Sequence, residues 1–332
     1  MEVTALRNSG EYGQPGFFRG YARFESPRLA GYKWEICEIR GKRPGPRLCI
    51  CAGIHPNEVS AIEAAVRLQR AFDPESMEGS VSIIPFINQP GLFEYPDYVC
   101  PLDGKNIEHT FPGKKDGTFS EALCDAIMNE WCTGADCLID MHGGNLRENV
   151  SKFVIVQHAP DPQLNARARQ IAMCFDAEFV LALPAPFMDR PGTYSPSAFA
   201  RHGRLAVLPE AGANGLVTED TVSFFVEGVL NVARTLGIIS TPLSEARNAQ
   251  IHCGDYLWIY SPAGGDFHSE VEPGDRVTKG QRLGTITNMF GEPLAELSAP
   301  ESGFVLWRVT HPSIKEGSFA GAIGIEENKA MI

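Results

Sequence analysis

Two periodicities alternate along the chain. Arg47-Leu-Cys-Ile-Cys-Ala52 is a continuous apolar run bounded by Pro46 and Gly53, the pattern of a strand buried on both faces of a sheet. From Glu58 to Phe72 the pattern becomes helical, with Val59, Ile62 and Val66 on one stripe and Ala65 and Leu68 on an adjoining one. The same alternation recurs, predicting strands at 81–87, 137–141, 153–157, 179–183 and 205–208 and helices at 119–131, about 163–174 and 221–236. Thr218, followed by Glu219 and Asp220, reads as the N-cap of the last helix. Strands interleaved with helices predict an α/β class with a mixed, largely parallel sheet covered on both faces.

The two ends of the chain read differently. Residues 15–45 are rich in Gly, Pro and aromatics, with a short alternating stretch at 33–39 that predicts an opening β-meander. Beyond Ser240 the texture changes. From Gly254 onward there is no helical pattern, only short β-like runs between turns such as Glu272-Pro-Gly-Asp and Ala299-Pro-Glu-Ser-Gly. The predicted organisation is therefore an α/β domain over residues 1–244 and a small all-β, barrel-like module over 245–332.

Composition narrows the function classes. The 332 residues carry 29 Lys and Arg against 41 Asp and Glu, a net charge of −12, which argues against a nucleic-acid partner needing a basic face. Hydrophobic residues at 43% and charged ones at 21% are ordinary globular usage. No apolar run approaches the roughly 18 residues that span a bilayer, and residues 1–14 are mixed and polar, so a cytoplasmic protein with no membrane partner is expected. The nine cysteines are odd in number, form no Cys-x-x-Cys pair and mostly sit in apolar segments, so reduced, buried thiols are expected.

The residues suited to chemistry cluster at predicted strand ends. Gly53-Ile-His-Pro-Asn-Glu58 leaves the first buried strand and enters a helix, where open α/β sheets form ligand crevices. A second histidine ends another strand in Asp140-Met-His-Gly-Gly144, and Leu208-Pro-Glu-Ala-Gly212 ends a third with a carboxylate. Imidazole and carboxylate are zinc ligands, and a catalytic zinc site needs only three of them plus an open position. His55, Glu58 and His142 supply such a set, although a lone His-x-x-Glu equally suits a solvated helix start.

Four ordered motifs add a resemblance. Gly-x-His-x-x-Glu, then Asn106 to Gly113 as Asn-x-x-x-x-Phe-Pro-Gly, then Asp-x-His-Gly-Gly and Pro-Glu-x-Gly, resemble the succinylglutamate desuccinylase/aspartoacylase family, which is similar to the zinc carboxypeptidases. The resemblance spans roughly residues 45–240 and, more loosely, the β-rich tail. It implies a carboxypeptidase-like fold, one Zn2+ per chain held by His55, Glu58 and His142, and Glu210 as the catalytic acid/base. It also implies hydrolysis of a small N-acyl amino acid or similar amide. Asp140 points to the same face of its strand as His142 and is a candidate to orient an imidazole.

The chain departs from the family at one place that matters for substrate. Members usually carry Asn-Arg before the Phe-Pro-Gly turn, the arginine gripping a substrate carboxylate, whereas Glu108-His109 stands here. Histidine lacks the bidentate, permanently charged fork of arginine. Replacement cations are Arg147 and Arg190, and Tyr194 and Asn145 are candidate donors to an oxyanion. The tail resembles lipoyl and biotinyl carrier barrels, but Asn288-Met-Phe-Gly-Glu292 occupies the hairpin where a carrier lysine is expected. A cap over the active-site mouth or an oligomer contact is the expected role, with a purely stabilising module as the bland one. The leading expectation is a zinc-dependent deacylase; a zinc carboxypeptidase and a zinc-containing binding protein without turnover are the alternatives.

Overall fold

Alternating side chains along the central strands feed two separate cores, and this sets the layers. In the strand Arg43–Cys51, Leu48 and Ile50 enter one core while Cys49 and Cys51 enter the other. These observations come from a computed structural model that describes residues 1–8, 14–243 and 249–327. The strands are β1 (Glu2–Asn8), β2 (Gly16–Arg23), β3 (Trp34–Arg40), β4 (Arg43–Cys51), β5 (Glu78–Ile84), β6 (Cys137–Asp140), β7 (His142–Gly143), β8 (Glu148–Gln157), β9 (Phe179–Leu183) and β10 (Ala206–Ala213). Nearer the C-terminus follow β11 (Ile251–Tyr260), β12 (Gly265–Ser269), β13 (Arg276–Val277), β14 (Arg282–Thr287), β15 (Pro293–Ser298), β16 (Gly303–Val309), β17 (Ser313–Ile314) and β18 (Phe319–Glu326). The helices are α1 (Val59–Leu68), α2 (Phe119–Ala126), α3 (Pro162–Ala172), α4 (Ser195–Arg201) and α5 (Glu219–Thr235).

The large sheet runs β1-β2-β3-β5-β4-β6-β10-β8-β9-β11-β18-β16-β13. Its centre, β5-β4-β6-β10, is parallel; β3 and β8 flank it antiparallel. Helices α1, α3 and α5 cover one face and α2 and α4 the other, so the expected mixed sheet with two covered faces is present. All nine cysteines are buried and free. No helix of the described residues is long and apolar enough to cross a membrane.

Local patterns explain most elements and misplace a few. Thr218 Oγ1 accepts from the Thr221 N–H at 3.2 Å, so α5 begins two residues before the periodicity suggested. Helix α1 corrects its predicted face: it buries Ala61, Ala64, Ala65 and Leu68, while Val66 is 43% exposed. Small alanines let the helix approach the sheet and α5 closely, and that close approach outweighs burial of the larger valine. The predicted helix 119–131 is α-helical only to Ala126; Ile127–Trp131 forms a π turn that lets the Trp131 indole donate to Ser82 Oγ at 2.7 Å. The seven residues of α4 were missed, being too short to carry a period.

The C-terminal module is β-rich as expected, with a core of its own that includes Phe267, Val277, Leu283, Ile286 and Leu297. The predicted boundary at 245 lies outside the described residues. What the pattern did not reveal is how the module joins the sheet. Strand β11 pairs with β9, β18 with β11, β16 with β18, and β16 with β8, which itself pairs with β9. These five strands close a ring around Phe153, Phe179, Leu181, Cys253, Phe304 and Leu306. The sheet β15-β14-β12-β17 adds the outer layer of the module.

Candidate active site

Three neighbouring strand ends bring the polar residues together. Leaving β4, Gly53 takes φ +68°, and a Cβ there would lie 2.8 Å from the Phe86 ring, so only glycine makes this turn. The turn carries His55 to Glu58 at the mouth of α1, both side chains buried. The Met141 N–H donates to the Cys51 carbonyl at 2.9 Å, which ties the end of β6 to the end of β4 and sets His142 beside them. Gly144 must also be glycine, since a Cβ would sit 2.2 Å from the Gly212 carbonyl oxygen. That close approach brings β10 alongside, with Glu210 in register with His142.

His55, Glu58 and His142 each offer a ligand atom, and these atoms lie within 4.8 Å of one another. Glu58 Oε1 is 2.6 Å from His55 Nδ1, and Glu58 Oε2 is 3.0 Å from His142 Nδ1 while accepting the Gly143 N–H at 3.0 Å. The opposite nitrogens face other acceptors: His55 Nε2 lies 3.0 Å from Asn106 Oδ1, and His142 Nε2 lies 3.3 Å from Asp140 Oδ1. Asp140 is wholly buried and accepts from Ser195 Oγ at 2.6 Å and Cys51 Sγ at 3.3 Å. Burial alone would lower both imidazoles, yet the Glu58 carboxylate lifts His55 to about 8 and His142 well above its ordinary value. Burial would likewise raise Glu58, and the two histidines hold it at about 2.

The donor set suits a divalent metal. Two imidazoles and one carboxylate are nitrogen and oxygen ligands of the zinc kind, and neither ring nitrogen of His142 has the alignment of a hydrogen bond despite being buried. Positive charge gathered around one buried carboxylate is what a cation supplies when it displaces the imidazole protons.

Around this cluster lies a cleft of about 780 Å³. His55, Glu58, Glu210 and the motif residue Asn106 line it, as do His109, Arg147 and Tyr194 of the predicted substrate contacts. Glu210 is half-buried, with a carboxylate oxygen within 4.8 Å of ligand atoms of Glu108 and His142. Burial, with Glu58 nearby, pushes the Glu210 carboxyl well above the usual range. Arg147 faces Asp97 in an ion pair, and the Tyr194 hydroxyl is 3.0 Å from that of Tyr256. The remaining two candidates do not line the cleft. Arg190 stacks its guanidinium 4.4 Å over the Phe187 ring, and Asn145 is buried with its Oδ1 accepting the Leu146 N–H at 2.6 Å.

Sequence reasoning missed several lining residues. Glu148 and Tyr98 face the cleft, and burial raises the Glu148 carboxyl to about 7 despite a hydrogen bond from Tyr98. A carboxylate so soon after the His142-Gly-Gly turn was a usable signal for Glu148. Tyr256, Trp258, Trp307 and Phe319 come from the β-module, and no local pattern signals that strands 46 to 109 residues beyond Glu210 wall this cleft.

Residues 44–236 match the model of the succinylglutamate desuccinylase/aspartoacylase catalytic domain, over half of the chain. The chain belongs to this family. A curated family relative is the N-alpha-acetyl-L-2,4-diaminobutyric acid deacetylase of Halomonas elongata, 25% identical over 284 residues, covering 84% of this chain and 82% of that one. Among solved structures, the ectoine utilization protein EutE (DoeB) from Ruegeria pomeroyi has a TM-score of 0.84 at 22% identity, covering 97% of this chain and 98% of that one. A succinylglutamate desuccinylase/aspartoacylase from Rhodobacter sphaeroides has a TM-score of 0.84 at 23% identity, covering 98% and 100%. The fold found here, with its mixed sheet and C-terminal β-module, is thus that of the family over nearly its whole length, and the family's characterised activity is deacylation.

Proposed function

We propose that this chain is a zinc-dependent amidohydrolase that cleaves the amide of a small N-acyl amino acid or related compound into a carboxylate and an amine. The observation that carries this reading is the meeting of His55, Glu58 and the buried His142, ligand atoms within 4.8 Å, in register with Glu210, at a cleft that His55, Glu58 and Glu210 line. These three residues would hold one Zn2+ per chain, and the zinc-carboxypeptidase likeness of the fold belongs to the same proposal. Bound zinc polarises a carbonyl oxygen and makes water a nucleophile near neutral pH.

The protein groups do the rest. Glu210 receives a proton from the attacking water and passes it to the departing nitrogen. Asp140, gripped by Ser195 and Cys51, holds the ring of His142 in one orientation. Asn106 does the same for His55. His109, Arg147 and Tyr194 border the bound substrate. The module over 245–332 supplies Tyr256, Trp258, Trp307 and Phe319 as part of the wall, which restricts the cleft to small substrates. The acetylated diamino acid of the Halomonas relative is a substrate of the size this cleft admits.

The test measures zinc per chain and amine released from N-acyl amino acids beside short peptides. One zinc per chain, lost in His55→Ala/His142→Ala, together with deacylation of the N-acyl amino acids, is the expected result. Absence of stoichiometric metal, or activity on peptides alone, refutes the proposal.

A further inference from the structure

Glu108 stands where the family pattern has the asparagine of its Asn-Arg pair, and the structure gives that exchange a chemical consequence. Its side chain lines the cleft, and the residue is 8% exposed. One carboxylate oxygen lies within 4.8 Å of ligand atoms of Glu210 and His142, close to where the amide must be cleaved. Its ionic neighbours are imidazoles, His55 Nε2 at 3.7 Å and His109 Nε2 at 3.4 Å. Among the described residues, no lysine or arginine nitrogen pairs with it.

The rest of the lining has the same character. Glu148 adds a second carboxylate beyond the proposed metal ligand and base. The arginine of the lining, Arg147, is paired with Asp97, and the lysine, Lys315, is exposed on the β-module. With Arg147 neutralised by Asp97 and Lys315 exposed to solvent, the lining offers little positive charge to an acidic side chain of a substrate. The part of the lining that the β-module supplies is aromatic: Trp258 lies 5.4 Å from Tyr256, 5.6 Å from Trp307 and 4.5 Å from Phe319, ring centre to ring centre. Carboxylates and aromatic rings lining one cleft attract ammonium groups and repel a second anion.

We infer that Glu108 is a specificity-determining residue that pairs with a cationic group of the substrate, so that the cleft selects N-acyl amino acids bearing an ammonium group over neutral or acidic ones. This rests on the deacylase reading above. Where the family pattern offers an arginine to a substrate carboxylate, Glu108-His109 offers an anion, while the metal ligands and Glu210 are untouched.

Three substrates of equal side-chain length test it: Nα-acetyl-L-2,4-diaminobutyrate, Nα-acetyl-L-norvaline and N-acetyl-L-aspartate. The zinc-loaded wild-type enzyme is expected to show kcat/KM at least tenfold higher for the first than for the second, and lower still for the third. In Glu108→Gln the ratio of cationic to neutral substrate should fall at least tenfold, and Glu108→Asn/His109→Arg should raise the ratio of acidic to neutral substrate. A wild-type preference for the neutral or acidic substrate overturns the inference while leaving the deacylase reading standing. An unchanged ratio in Glu108→Gln does the same. Hydrolysis of none of the three, nor of any other N-acyl amino acid, overturns both.

Discussion

Replacing Asp140 with asparagine tests how the proposed metal site is held. The aspartate accepts on one oxygen from Ser195 Oγ at 2.6 Å and presents the other to Cys51 Sγ and His142 Nε2, each at 3.3 Å. Asparagine fills the same space but has a single acceptor oxygen. If that oxygen keeps the shorter bond to Ser195, the amide N–H₂ faces His142 Nε2, and two donors oppose each other. The imidazole relieves this by moving its proton to Nδ1, the nitrogen that faces Glu58 and is needed for the metal. Loss of such a supporting carboxylate typically costs about 10–100-fold in metal affinity, roughly 1.4–2.7 kcal/mol. Competition with a chromophoric chelator at fixed pH measures the zinc dissociation constant directly, and circular dichroism checks that the variant is folded. Ser195→Ala, which leaves the charge and frees Asp140 to rotate, should weaken zinc less than Asp140→Asn. A folded Asp140→Asn protein whose zinc affinity stays within twofold of wild type would refute the reasoning.

Other consequences are equally direct. Glu210→Gln removes the proton carrier and should lower kcat by roughly 10²–10⁴ with zinc content unchanged, read by steady-state kinetics and metal analysis; retained activity would exclude this residue as the base. Burial raises the Glu148 carboxyl from 4.5 to about 7, so the unfolded chain ionises first as pH rises and the group opposes folding increasingly between about 4.5 and 7, by at most about 3 kcal/mol. In the metal-free protein, Glu148→Gln should therefore raise Tm at pH 8 more than at pH 5, and equal shifts at both pH values would contradict this. Gly228→Ala in α5 places a Cβ 2.0 Å from the buried ring of Phe175, so the overpacking cost of about 1–3 kcal/mol should outweigh the roughly 1 kcal/mol that alanine contributes to a helix. Urea unfolding should find the variant less stable, and a gain would be inconsistent with that contact.

For the buried central strands, where local pattern decides burial, sequence and structure agree. The apolar run of β4 and the alternation of its side chains into two cores required no knowledge of the partner strands, because a strand covered on both faces must be apolar throughout. The spacing within Gly53-Ile-His-Pro-Asn-Glu58 and Asp140-Met-His142 similarly determined which side chains share a turn or a strand face. Thr218 declared the start of α5 for the same reason, since a cap is a contact between residues three apart.

Only the tertiary structure decided what depends on distant strands. Strand order brings the ends of β4, β6 and β10 together, so that Glu210, 68 residues after His142 in the chain, stands in register beside it. The ring closed by β8, β9, β11, β18 and β16 carries Trp258 and Trp307 to the cleft wall, and turns a module that reads as a separate barrel into part of the site. The pairing of Arg147 with Asp97 and the stacking of Arg190 on Phe187 removed two cations that looked free in the sequence. Composition counts charges, whereas neutralisation depends on distance, and in a folded chain distance is set by topology rather than by separation along the sequence.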